Sequence, residues 1–260
     1  MHITILGSGI MGSQLAALMS LLDFDVTIRS RNNNLNVVEK NKKLLSKIIK
    51  LDFKSNIINY KNINESFDGQ SLVIECLKEN LQIKKEYFIK YKSTKYGYFS
   101  NSSSFANSDV NNEIDVLHFF NPVSIKILEV CISNKDKYDN SILNNLIEKL
   151  KNIDFKFFYV HQNRGFLGNT IIFYHISNYF YLHEKLNYNV QDISKMQKEF
   201  GINFNPLNII DIVGVDVCFE ILKNLKEKNN NLYIPEIFNN ALKKNILGKK
   251  NKTSISSILS

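Results

Sequence analysis

His118 closes the apolar run DVLHF, and Glu129 stands eleven positions later inside a second run, ILEVCI. An imidazole that titrates near neutrality is suited to taking a proton from a hydroxyl. A carboxylate on its other ring nitrogen would fix the tautomer and raise the basicity. The plainer reading is a surface histidine followed by core aromatics and an unrelated acid. A second group of residues sits at the start of the chain, where ILGSGIMGSQLA places Gly7, Gly9 and Gly12 directly after an apolar run and at the opening of a helical pattern. In such a loop the first glycine permits the tight turn, the second lets backbone approach a pyrophosphate, and the third allows close helix–strand packing. Helix N-terminal amides, with Ile10 and Met11 in the same turn, would then face the phosphates.

The same β-α-β logic expects an acid at the end of the second strand, where it would bind the adenosine ribose. That place reads IRSRN, so Ser30 stands between Arg29 and Arg31 and the acid is missing. Guanidinium groups suit a 2′-phosphate through paired hydrogen bonds. The pattern therefore favours NADP(H) within a general NAD(P)(H) reading; the alternative is NAD with a weakened ribose contact and solvated arginines. The formal charge of +8 agrees with an anionic ligand such as a nucleotide or coenzyme A. The lysines are scattered, with no basic stripe interleaved with aromatics, which argues against nucleic acid as the partner. Cys76, Cys131 and Cys218 are far apart and pair with no histidine at metal-ligand spacing, so no metal site is expected. The first apolar run begins almost at Met1, and the stretch LAALMSLL is too short to span a bilayer. A cytoplasmic protein without membrane contact is the expectation.

These residues need strands and helices to hold them. Strands are predicted at residues 2–6, 25–29, 71–76, 96–100, 115–119, 127–132 and 155–160, with helices between several of them, including 82–91 and 140–152. Such alternation implies an open, mostly parallel α/β sheet. After NRGFLGN only helical spacing remains. The organisation predicted is therefore α/β: a Rossmann-type dinucleotide-binding domain over 1–163, then an all-helical domain over 164–260. The tail GKKNKTSISSILS suggests no clear structure.

Four stretches, GSGIMGSQLA, VIECLKENLQIKKEYF, SNSSSF and HFFNP with the following LEV, resemble the 3-hydroxyacyl-CoA dehydrogenase family in order and kind. GFLGN and NPLNIIDIVGVD extend the resemblance over nearly the whole chain. It implies that His118 is the catalytic base, that Glu129 pairs with its imidazole, and that Ser103 and Asn169 serve the reacting oxygen and the substrate. It further implies that Glu79, Lys84, Asn101 and Asn121 face the cofactor. The reaction implied is hydride transfer between a nicotinamide cofactor and C3 of a 3-hydroxyacyl or 3-oxoacyl thioester of fatty acid metabolism, carried on coenzyme A or on an acyl carrier protein. A homodimer built by the helical domain is implied as well.

The sequence departs from the family pattern in places. The interval from His118 to Glu129 is one residue short, which asks for a compensating deletion in VSIK. The stretch after the second strand is reduced, and Thr170 stands where an arginine is usual. A reduced clasp would suit a carrier-bound acyl group. Two other readings are a dehydrogenase of a small free hydroxy acid, disfavoured by the scarcity of arginines beyond Arg31 and Arg164, and a non-catalytic nucleotide-binding relative.

Overall fold

The computed structural model describes residues 1–52, 57–103, 107–111, 114–161, 165–227 and 230–259. Phe105 of the serine motif and the Asn163–Arg164 junction, with Arg164 itself, lie outside the described residues. The chain divides into two compact units, Met1–Asn163 and Arg164–Ser260.

The first unit runs β1 (His2–Leu6), α1 (Ile10–Leu21), β2 (Asp25–Ser30), α2 (Leu35–Ile48), β3 (Ile58–Asn62), β4 (Leu72–Glu75), α3 (Leu81–Tyr91), β5 (Tyr98–Ser100), α4 (Asn107–Val110), β6 (Asp115–Phe119), β7 (Ile127–Cys131), α5 (Ser141–Lys151) and β8 (Lys156–Tyr159). The strands form one sheet in the order β3-β2-β1-β4-β5-β6-β7-β8. Every neighbouring pair is parallel except β6 and β7. Reversal of strand order at β1 creates the crevice in which ligands of open α/β sheets bind.

Both faces of the sheet are covered, which is why the central strands read as continuous apolar runs. Ile3 and Ile5 pack with the buried residues of α1 and α5, while Leu6, Val73 and Tyr98 pack with Phe88 and Tyr91 of α3. The sequence gives no warning of β3. Its residues INYKN are largely polar and half open, because an edge strand has no need of an apolar run.

The second unit contains α6 (Gly168–Glu184), α7 (Val190–Glu199), α8 (Pro206–Val213), α9 (Val215–Lys226) and α10 (Glu236–Lys243), with no strand among its described residues. The helical spacing from 207 to 226 is broken once, at Gly214, whose φ of 105° suits glycine. The tail is better ordered than its composition suggests. Ile255 is fully buried, and the Asp211 carboxylate accepts the Ile255 backbone N–H at 2.8 Å and the Ser254 hydroxyl at 2.5 Å. One apolar anchor and one carboxylate thus fold a stretch that has no periodic pattern. No described helix is long and apolar enough to cross a membrane.

Candidate active site

The glycine loop joins β1 to α1 beside β4. Gly7 has a φ of +100°, and a Cβ there would meet the Cys76 carbonyl oxygen at 2.6 Å; at Gly12 a Cβ would meet the Gly7 oxygen at 2.0 Å. Both positions therefore exclude larger residues. Gly9 differs, since a Cβ there meets nothing within 4 Å. Its missing side chain leaves open space for a ligand to reach the backbone. Gly9 is the N-cap of α1, with no side-chain cap and no acid in the first turn, so these helix amides keep their capacity for an anion. A cavity of about 620 Å³ opens here. Gly7, Gly9, Ile10 and Met11 line it, as do Ser30 and Arg31 at the end of β2, and Glu79, Lys84, Asn101 and Ser102 on the far side. Open backbone, uncapped helix amides and a long cavity over the crossover fit a dinucleotide.

Arg29 corrects the sequence expectation. Successive strand residues point to opposite faces, so Arg29 and Ser30 cannot both meet one ribose. The Arg29 side chain is only 3% exposed. Its guanidinium donates to the carbonyls of Glu65 and Ser66 at 3.3 and 3.0 Å and lies over the rings of Phe67 and Tyr91. That arginine holds the loop after β3 rather than facing the cavity. Arg29→Met should lower stability and leave the ratio of NADH to NADPH affinity unchanged, whereas Arg31→Ala should change the ratio. Chemical unfolding and parallel nucleotide titrations of the two variants check this.

The other residues that the resemblance assigns to the cofactor divide. Lys84 lies in the buried stripe of α3 with Phe88 and Tyr91 and binds Glu75 at 2.8 Å, with Glu79 at 3.8 Å. The Glu79 carboxylate accepts the Ser102 hydroxyl at 2.8 Å. Asn101 is buried, and its side-chain oxygen accepts the Phe119 N–H at 2.9 Å. Asn121 is exposed and lies outside the cavity lining. Its side-chain oxygen accepts from Gln14 of α1 at 3.0 Å, and Gln14 in turn accepts the Val123 N–H. The acid that sequence reading missed is Glu75. Its signal was a carboxylate inside the apolar run SLVIEC, which a folded chain must pair.

His118 and Glu129 are register partners across the antiparallel β6–β7 pair. Their side chains point to the same face, and His118 Nδ1 lies 2.7 Å from Glu129 Oε2. The chain between them turns through a short helical segment at Val123–Ile125 and Lys126 in the left-handed region. Glu129 is 1% exposed and His118 8%. A carboxylate can only accept, so Nδ1 carries the hydrogen and Nε2 is left as the basic nitrogen. Phe120 packs against the imidazole, with ring centroids 4.7 Å apart. Ser103 is buried, and the Asn101–Phe119 hydrogen bond holds its segment along the end of β6. Asn169 lies in the first turn of α6, in the second unit, half-buried.

Residues 2–161 match the NAD binding domain of 3-hydroxyacyl-CoA dehydrogenase, and residues 165–257 match that family's C-terminal domain. The chain belongs to the 3-hydroxyacyl-CoA dehydrogenase family. It is a nicotinamide-dependent oxidoreductase. The mitochondrial hydroxyacyl-coenzyme A dehydrogenase of Rattus norvegicus is 25% identical over 281 residues, covering 96% of this chain and 88% of the relative. The 3-hydroxybutyryl-CoA dehydrogenase of Clostridioides difficile is 26% identical over 253 residues, covering 86% of this chain and 87% of its own. Among solved structures, FadB2 of M. tuberculosis superposes with a TM-score of 0.81 at 20% identity, covering 97% of each chain. The (S)-3-hydroxybutyryl-CoA dehydrogenase of Ralstonia eutropha gives 0.75 at 18% identity, covering 98% of this chain and 97% of that one. At those identities the structures share the fold with this chain.

Proposed function

We propose that this oxidoreductase interconverts 3-hydroxyacyl and 3-oxoacyl thioesters, with His118 as the proton-handling group. The observation that carries the reading is the 2.7 Å His118–Glu129 pair set by strand register. The cofactor supplies the hydride acceptor for oxidation and the donor for reduction. His118 Nε2 takes the proton of the 3-hydroxyl as C3 is oxidised, and returns it to the oxygen in reduction. Glu129 keeps the ring in the productive tautomer and stabilises the imidazolium. Ser103 is assigned to donate to the reacting oxygen as charge develops on it, and Asn169 is assigned to the substrate.

The phosphates are assigned to the amides at Gly7, Gly9, Ile10, Met11 and Gly12. Glu79, Lys84 and Asn101 take the opposite side of the cavity, and Asn121 acts through Gln14 on α1. With Arg29 turned into the protein, a preference for NADP(H) rests on Arg31 and Ser30 alone. The Ser30 hydroxyl already donates to the Asn32 carbonyl at 2.5 Å, which leaves Arg31 as the residue to read a 2′-phosphate.

Coenzyme A is the first choice of thioester carrier, with an acyl carrier protein as the competing form. Homodimerisation through the helical unit is supported by the outer face of α6, where Leu167, Ile171, Tyr174 and Tyr181 are exposed at helical spacing. The reading is tested by steady-state reduction of acetoacetyl-CoA and of acetoacetyl carrier protein, each with NADH and with NADPH. Turnover of the coenzyme A form with at least one nucleotide is expected. Binding of nucleotide without turnover of either thioester would refute it.

A further inference from the structure

The wall of the cavity opposite the glycine loop is held by a closed ring of five residues. Glu75, 1% exposed at the end of β4, is its centre. Its Oε1 accepts the Leu77 N–H at 2.6 Å and Lys84 Nζ at 2.8 Å. Oε2 accepts Lys84 Nζ at 3.0 Å and the Ser100 hydroxyl at 2.8 Å. The ring continues from Lys84 to Glu79 at 3.8 Å, from Glu79 to the Ser102 hydroxyl at 2.8 Å, and from the Ser102 N–H back to Ser100 Oγ at 3.2 Å. Leu77, Glu79, Lys84 and Ser102 line the cavity, while Glu75 and Ser100 stand behind them.

We propose that Glu75 is a positioning residue for nucleotide binding, acting through Lys84, Glu79 and Ser102 without touching the ligand. The inference rests on the assignment of this cavity to the nicotinamide cofactor. One carboxylate ties together the end of β4, the turn after it, α3 and the end of β5, and these are the segments that present the far wall. It also takes up both near contacts of the Lys84 ammonium. Without the Glu75 charge, the remaining carboxylate partner of Lys84 among the described residues is Glu79, whose side chain is 47% exposed. The ammonium then closes on Glu79 and withdraws that carboxylate from the ligand. Oriented, charge-assisted bonds inside a buried network are the kind whose loss misplaces neighbours as well as weakening the fold.

The test is Glu75→Gln beside Ser100→Ala, assayed with whichever of NADH and NADPH the wild type binds more tightly, with a thermal melt of each variant. Loss of folded protein lowers apparent kcat and leaves KM unchanged, so a KM-against-kcat split separates positioning from bulk stability. For Glu75→Gln, nucleotide KM and Kd should rise about tenfold or more, the loss of one charge-assisted bond, with thioester KM within twofold. Ser100→Ala keeps the Glu75–Lys84 pair and removes one hydroxyl bond to the carboxylate, so nucleotide KM should rise in the same direction by less than in Glu75→Gln. Unchanged nucleotide Kd in both folded variants would overturn the proposal and leave the ring as an ion pair of the fold. A wild type that binds neither nucleotide would overturn the cofactor assignment and this proposal together.

Discussion

His118→Ala is expected to lower kcat for acetoacetyl-CoA reduction by roughly a hundred- to ten-thousandfold, the range for loss of a positioned general acid–base, while nucleotide Kd stays within about twofold of the wild type. The separation follows from the geometry. His118 lies on β6 against Glu129 of β7, whereas the glycine loop that would hold the phosphates joins β1 to α1. Removal of the ring also leaves Glu129, 1% exposed, without its imidazole partner, so some loss of stability accompanies the variant. Glu129→Gln separates the two effects. The amide keeps the volume but can present an N–H to Nδ1, which favours the wrong tautomer. Turnover should fall in that variant as well. Stopped-flow absorbance of the reduced nucleotide, with a nucleotide titration alongside, measures both quantities.

Lys84→Met is expected to remove about 3–5 kcal/mol of stability, the usual consequence of breaking a buried ion pair from one side. Against a typical total of about 5–15 kcal/mol, that loss is large. Lys84 is 2% exposed, and its loss leaves the buried Glu75 carboxyl with the Leu77 N–H and the Ser100 hydroxyl but without its ion-pair partner. The pH dependence has a definite sign. Burial works against the Lys84 charge, but Glu75 and Glu79 outweigh it and hold the pKa above the ordinary 10.5. A folded pKa above the unfolded one means that the contribution is complete below pH 10.5 and is lost as pH rises through the folded value. Urea unfolding should therefore show a full gap between wild type and Lys84→Met at neutral pH, narrowing above pH 10.5. A gap that stays constant across that range would mean the pair contributes nothing through its charge.

Sheet and site were legible in the sequence to different depths. The strand–helix alternation marks out the α/β unit because a doubly covered parallel sheet needs apolar runs, and β1, β2, β4 and β6 supply them. β3 escaped because an edge strand is under no such demand. The fully buried Ile255 and the Asp211 carboxylate that order the tail leave no periodic trace. His118 and Glu129 could be singled out as an imidazole and an acid in adjacent apolar runs. Their pairing was legible only through the resemblance to the family, because physically it depends on the antiparallel register of two strands. Arg29 misled for a related reason. Residue type suggested a phosphate ligand, but strand alternation turns the guanidinium towards the Glu65 and Ser66 carbonyls. Glu75 shows the opposite failure. A charge inside an apolar strand with a lysine in the apolar stripe of the next helix is a readable sign of a buried pair, and it passed unnoticed beside the stronger motif residues.

Isotope transfer decides whether hydride passes between the nucleotide and C3 of an acyl thioester. Acetoacetyl-CoA is incubated with the wild type and reduced nicotinamide nucleotide carrying deuterium at the transferable position, and the product is examined by mass spectrometry and NMR. One deuterium is expected, on C3 of 3-hydroxybutyryl-CoA, with roughly a hundredfold or more less labelled product from His118→Ala over the same time. Deuterium absent from C3 in the wild-type product, or present at equal rate with His118→Ala, would contradict the proposed reaction.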